Sequence, residues 1–166
     1  MTLATADAKG HPSARVVLLK DVDERGFVFY TNFNSQKGKE LKENPWAALC
    51  FFWDPMADQV RVEGHVEEVS KIEADTYWQT RPRDSQLGAW ASDQSSALKS
   101  RTELVIRVAR FAKKYFGQPI PRPSYWSGFR LVPHKIEFWK RKPFRLHERT
   151  VYSKKEELWT KVLLFP

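Results

Sequence analysis

Short apolar runs separated by polar, turn-forming clusters fill the first half of the chain. TLATA (2–6) alternates and reads as a strand, DAKGHP (7–12) as a turn, and SARVVLLK (13–20) as a well-buried strand. DVDERG (21–26) reads as a loop and FVFYT (27–31) as a second strong strand. KGKELKEN (37–44) is a short helix limited by Pro45, with Ser35 or Asn34 as its cap. WAALCFFW (46–53) and VRVEGHVEEV (60–69) are strands joined by DPMADQ (54–59), and Gly64 marks a bulge or a close approach.

Helical spacing appears in the second half. SKIEADTYWQTR (70–81) is a helix ended by Pro82, and Leu104, Val105, Val108, Phe111, Ala112 and Tyr115 recur at helical intervals from about Arg101 to Phe116. Between them, RPRDSQLGAWASDQSS (81–96) is too polar for a core and too aromatic for a linker. PIPRPS (119–124) is an extended connector. Three final strands are expected: FRLVP running into KIEFWK (129–140), FRLHERTVY (144–152) and LWTKVLLF (158–165). Many strands, few helices and no regular strand–helix–strand alternation predict a mostly β, largely antiparallel barrel with peripheral helices, in a single domain over residues 1–166.

Composition narrows the class. With 42% hydrophobic residues, eleven Phe, seven Trp and five Tyr, the chain is expected to fold around a proper core. No run approaches the length of a membrane helix, and the N-terminal residues lack a signal-peptide pattern. The single Cys50 reads as a buried thiol of a reducing, cytoplasmic protein. A net charge of +8 invites nucleic acid, anionic lipid or a phosphorylated small molecule. No finger, helix-turn-helix or RNP pattern supports nucleic acid as the partner, and no His/Cys spacing supports a metal.

Basic residues at the ends of elements carry the chemistry. Arg15 and Lys20 bracket VVLL, Lys37 opens the first helix after Thr31 and Ser35, and Arg81, Arg83 and Ser85 follow the helix bearing Tyr77. Helix starts, hydroxyls and cations together suit phosphate oxygens, although each residue alone also reads as a surface charge. In KPFRLHERT (142–150), Arg145, His147 and Arg149 alternate, which on a strand places them on one face. His147 alone reads equally as a structural histidine. Between two arginines, it suits contact with an anionic or phenolic ligand. Neither a nucleophile elbow nor a carboxylate pair announces covalent or hydrolytic catalysis, so a cofactor is expected to carry any electron transfer.

RVVLLK, FYTNFNSQKGKEL, DQVRVEG, RPRDSQLGAW, QSS, IEFW and RLHER occur in the order and nearly the spacing of one family. From about Thr2 to the C-terminus the chain closely resembles the pyridoxine (pyridoxamine) 5'-phosphate oxidases. The resemblance implies an FMN-binding split β-barrel, a homodimer with active sites at the interface, and oxidation of a phosphorylated vitamin B6 substrate by O2. It implies FMN contacts at Arg15, Val16, Val17, Leu18, Leu19 and Lys20, then at Tyr30, Thr31, Gln36 and Lys37, and further along at Gln59, Gln94, Ser95, Trp139 and Arg149. Substrate contacts are implied at Lys20, Tyr77, Arg81 and Ser85 for the phosphate, and at Arg145 and His147, the catalytic pair, for the ring.

Three departures accompany the resemblance. Gln36 stands where these oxidases usually have arginine, as it does in related flavin oxidases of phenazine biosynthesis. KRKP (140–143) replaces a glycine-containing turn, which is expected to alter the placement of Arg145. The sequence opens near the first strand, where the family carries an earlier segment that partly closes over the substrate, so FMN binding is expected to survive the lack of that segment better than turnover.

Overall fold

A computed structural model describes residues 1–156 and 158–166. The strands among them are β1 (Thr2–Ala6), β2 (Pro12–Val16), β3 (Asp21–Asp23), β4 (Gly26–Asn32), β5 (Trp46–Trp53), β6 (Asp58–Glu68), β7 (Trp126–Lys140), β8 (Glu148–Lys155) and β9 (Leu158–Leu164). The helices are α1 (Gln36–Glu43), α2 (Lys71–Thr80), α3 (Arg83–Ala91) and α4 (Arg101–Lys114). The strands form one sheet in the order β2-β1-β5-β6-β7-β4-β3, from which β8 branches by pairing with β7, and β9 pairs with β8. The chain divides into two compact units: Met1–Phe29, Glu40–Glu67 and Phe129–Pro166 form the first, and Tyr30–Lys39 with Glu68–Gly128 form the second.

The first unit is built on strand alternation. Leu3, Val28, Phe29, Leu49, Val62 and Leu131 are wholly inaccessible to solvent. Gly64 is a close approach rather than a bulge: β5 and β6 stay in register without interruption from Trp46↔His65 to Trp53↔Asp58. A Cβ on Gly64 would lie 2.1 Å from the Val132 carbonyl oxygen, so only glycine lets the backbones pack this closely. The second unit packs α2, α3 and α4 around Trp78, Leu87, Tyr115, Ile120 and Trp126.

Four expectations are corrected. SARVVLLK is not a well-buried strand: β2 stops at Val16 and is an edge strand paired only with β1 among the described residues, leaving Val16 77% and Leu18 67% exposed. An apolar run signals burial against something without saying whether its own chain supplies the cover. Cys50 is half-buried rather than buried. Residues 83–91 form α3, with Pro82 as N-cap residue, Asp84 in the first turn, and Leu87 and Ala91 buried. That pattern of proline followed by an acidic first turn is itself a helix start.

The fourth correction concerns the arginine–histidine–arginine alternation. Only Arg149 lies on a strand; Pro143–Arg145 form a tight turn, and His147 precedes β8. Phe144 and Arg145 have φ of 57° and 61°. After β7 ends at Lys140 the chain must reverse into β8, and without a glycine two ordinary residues take the left-handed conformation.

Of the two proposed caps of α1, Ser35 serves. Its Oγ accepts from the Gly38 amide at 3.3 Å and donates to the Asn32 carbonyl at 2.6 Å, with Ser35 fully buried. Ser35→Ala is expected to destabilise the fold by about 1 kcal/mol, read as a lower urea midpoint at unchanged slope.

Candidate active site

Each unit gathers one group of the residues expected to act. In the second, the anchor is Arg81, the residue that ends α2 and whose amide donates to the Trp78 carbonyl at 3.2 Å. Its guanidinium carbon sits 4.3 Å from the centre of the Trp126 ring and 5.2 Å from that of Trp78. Nη2 donates to the Ser85 carbonyl at 3.2 Å, whereas Nη1 is buried with no hydrogen-bond partner among the described residues. Burial of the guanidinium pulls its pKa below the usual arginine value. A half-buried cation with an orphaned donor is an anion site by its chemistry.

Tyr77 lies one helical turn before Arg81. Its ring stacks on Tyr30 with centres 4.0 Å apart and planes 18° apart, and Tyr30 in turn stacks on Trp126 at 5.3 Å and 6°. Gly128 makes room for this stack, since a Cβ there would come within 2.8 Å of the Tyr30 ring. In the same unit, Lys37 and Thr31 are 9% and 6% exposed, and the ammonium donates to the Thr31 hydroxyl at 3.4 Å, in the first turn of α1. Gln36, the first residue of that helix, is exposed. Gln94 and Ser95 lie in an exposed turn after α3, Ser95 at φ 70°, and among the described residues neither side chain bonds to the Tyr30–Trp126 group.

In the first unit, Arg141, Lys142, Arg145 and His147 line a cleft of about 720 Å³ with Met56, Pro143 and Phe144. Nδ1 of His147 accepts from the Lys142 amide at 3.3 Å, and its ring lies 4.5 Å from that of Trp139. That hydrogen bond places the proton of a neutral His147 on Nε2. Trp139 is directly opposite Arg149 in the β7–β8 ladder. Arg149 Nε donates to Glu137 Oε1 at 2.7 Å, while Arg61 donates to Oε2 of the same carboxylate at 3.2 Å. The Arg149 hydrogen bond holds the Glu137 carboxyl below its ordinary pKa, and Glu137 raises that of Arg149 in return.

Arg15 is similarly engaged: its guanidinium bonds the hydroxyls of Thr5 and Ser13 and lies 3.3 Å from the buried carboxylate of Glu40. Val17 exchanges backbone hydrogen bonds with Met1, and the Lys20 amide donates to Val28. Leu19 and Gln59 are half-buried, while Lys20 is exposed. Sequence reasoning missed the supporting layer of Trp78, Trp126, Glu40 and Glu137. Glu137 was in view inside IEFW, and its placement two residues before Trp139 puts both on one face of β7.

Residues 1–115 match the family model described as pyridoxamine 5'-phosphate oxidase, and residues 126–166 match the pyridoxine 5'-phosphate oxidase C-terminal dimerisation region. Over its full length, the chain is 57% identical to a pyridoxine/pyridoxamine 5'-phosphate oxidase of Myxococcus xanthus, covering 81% of that protein. It is 52% identical to one of Synechocystis sp., again over its full length, covering 78% of that protein. Among solved structures, PhzG from Burkholderia lata in complex with tetrahydrophenazine-1-carboxylic acid superposes with a TM-score of 0.94 at 34% identity, covering 99% of this chain and 81% of that one. A pyridoxamine 5'-phosphate oxidase-related, FMN-binding protein from Nostoc punctiforme gives 0.80 at 18% identity, covering 99% and 87%.

Proposed function

The chain belongs to the pyridoxamine 5'-phosphate oxidase family, and from that membership we propose that it oxidises pyridoxine 5'-phosphate or pyridoxamine 5'-phosphate to pyridoxal 5'-phosphate, using FMN and reducing O2 to H2O2. Its fold is the family's split β-barrel, mostly antiparallel sheet with peripheral helices. The match to a dimerisation region supports a homodimer. In such a dimer, exposed apolar residues of the C-terminal segment such as Leu163 and Phe165, 72% and 94% exposed here, are candidates for the cover. Among the described residues no helix is long and apolar enough to cross a membrane; the likeness to the pyridoxine/pyridoxamine 5'-phosphate oxidases supports the cytoplasmic placement we propose.

The observation that carries the assignment of an anionic substrate is Arg81, whose buried Nη1 has no partner and whose guanidinium has no carboxylate against it among the described residues. In this reading, Lys20, Tyr77, Arg81 and Ser85 hold the substrate phosphate. Lys37 and Thr31 fit the phosphate of FMN, because the buried ammonium of Lys37, a residue of the first turn of α1, meets the buried hydroxyl of Thr31 on β4. Arg15 to Lys20, Tyr30, Gln36, Gln59, Gln94, Ser95, Trp139 and Arg149 complete the proposed cofactor contacts. When bound, FMN supplies the two-electron chemistry, accepting a hydride from the substrate and passing the electrons to O2. The chain's own part is to orient and to balance charge. His147, with Nδ1 occupied, offers its Nε2–H to a phenolic oxygen, and Arg145 adds positive charge on the same cleft.

The likeness to PhzG, together with Gln36, favours a second reading in which the substrate is a reduced phenazine precursor. Against it stand the identities, 57% and 52% to pyridoxine/pyridoxamine 5'-phosphate oxidases against 34% to PhzG; Arg81 does not separate the two readings, since the carboxylate of a phenazine precursor also suits its free donor. Anaerobic addition of pyridoxine 5'-phosphate to the FMN-loaded protein decides: the flavin absorption is expected to bleach and to return with air. Bands that bleach with the phenazine precursor but not with the phosphate ester would overturn the assignment.

A further inference from the structure

Most arginines whose contacts define the two units sit against a carboxylate: Arg15 against Glu40, Arg61 and Arg149 against Glu137, Arg107 against Asp93, Arg122 against Asp75 and Arg130 against Asp23. Arg81 does not. Its guanidinium is instead laid over the face of Trp126, with Trp78 beside it.

The difference has a chemical consequence. A carboxylate would hold the guanidinium in place and also neutralise it, and would compete with any incoming phosphate. An aromatic face attracts the cation through its quadrupole without adding a formal charge. The guanidinium thus keeps its full charge and its free edge, Nη1, while losing its freedom to swing.

Trp126 is itself immobilised. It is 6% exposed, stacked against Tyr30 on one ring and meeting Trp78 edge-on at 4.9 Å. Its amide donates to the Pro123 carbonyl at 3.0 Å, and its carbonyl accepts from Arg122 at 2.6 Å. Trp78 is pinned by its indole N–H, which donates to the Ile120 carbonyl at 2.8 Å.

We propose that Trp126 is the positioning residue of the substrate-phosphate site, holding Arg81 oriented and uncompensated so that it selects phosphate esters over the free alcohols. This rests on the reading of Arg81 as a phosphate ligand, and deepens it by naming what sets the selectivity. Sequence alone leaves Trp126 unassigned between the extended connector and the strand expected from Phe129, and the 45 positions that separate it from Arg81 hide the contact.

The test is the ratio of kcat/KM for pyridoxine 5'-phosphate to that for pyridoxine, measured on the FMN-loaded full chain. Trp126→Leu is expected to lower that ratio about ten-fold, the scale of a partly desolvated cation–π contact. In an Arg81→Ala background the same change is expected to lower it no further, since Trp126 acts through Arg81. A ratio unchanged by Trp126→Leu, or an equal fall in both backgrounds, overturns the inference. If Trp126→Leu does not fold, Trp126→Phe decides, with a smaller fall of about three-fold for the weaker ring. A wild type that oxidises neither compound counts against the parent reading. The inference is then decided by calorimetric binding of inorganic phosphate, whose Kd is expected to rise about ten-fold in Trp126→Leu, an unchanged Kd overturning it.

Discussion

Arg81→Ala is expected to lower kcat/KM for pyridoxine 5'-phosphate about 100-fold, with most of the loss in KM, because charge-assisted hydrogen bonds to a desolvated anion each contribute about 1.5–3 kcal/mol. The same substitution is expected to leave the urea unfolding free energy within about 1 kcal/mol of wild type. The two effects separate because Arg81 makes one hydrogen bond from its guanidinium, to Ser85, and leaves the other terminal nitrogen orphaned. Removing a buried donor that has no partner relieves a desolvation cost, which offsets the lost stacking on Trp126 and Trp78. Arg81→Lys is expected to recover little, since an ammonium lacks the planar fork that lies on an indole and points an edge at a phosphate. Steady-state kinetics together with a denaturation curve check both halves. A KM that does not move would remove Arg81 from the site, and a large loss of stability would make it a structural residue.

The elements that the sequence made legible are those whose pattern is local. β1 announces itself by alternation, β4, β5 and β6 by apolar-rich runs between turn signals, and α2 by the Pro82 that ends it, while the cap that Ser70 provides through the Glu73 amide is seen only in the structure. The tight turn at Pro143–Arg145 was misread for the opposite reason. Alternation of Arg145, His147 and Arg149 is a strand signal only if the backbone is extended, and the reversal between β7 and β8 forbids that. Long-range partnerships were also out of reach. The carboxylates that clamp Arg15 and Arg149, and the indole under Arg81, come from other elements, and side-chain identity alone does not reveal them. The apolar stripe of α4 shows a related limit. Its periodicity locates the helix, yet of the stripe only Tyr115, just beyond the end of α4, is buried, and Val105 is 63% exposed. Periodicity is silent on residues such as those of RPRDSQLGAW and RLHER, whose proposed roles depend on tertiary placement and come from the family resemblance.

Glu137 is the point at which charge placement and stability meet most directly. Its carboxylate, 3% exposed, receives Arg149 on one oxygen and Arg61 on the other, and Arg61 also reaches Glu63 at 2.9 Å. Glu137→Gln keeps the shape and removes the negative charge, leaving two guanidinium groups converging on a neutral amide. Breaking a buried pair costs about 3–5 kcal/mol. Here the loss is expected at about 2–3 kcal/mol, because the side chains of Arg149 and Arg61 are 27% and 41% exposed. The pH dependence follows from the direction of the shift. The Arg149 hydrogen bond depresses the folded-state pKa of Glu137 below its ordinary 4.5. Its contribution is therefore complete above that value and is lost as pH falls from there through the depressed folded value. The stability gap between wild type and Glu137→Gln is thus expected to be widest near neutral pH and to close progressively in acid, as protonation gives the wild type the same neutral group. Urea unfolding of both proteins at several pH values measures the gap directly. A gap of constant size would mean that the carboxylate acts through its shape and hydrogen bonds alone, with Arg149 and Arg61 held apart by other contacts.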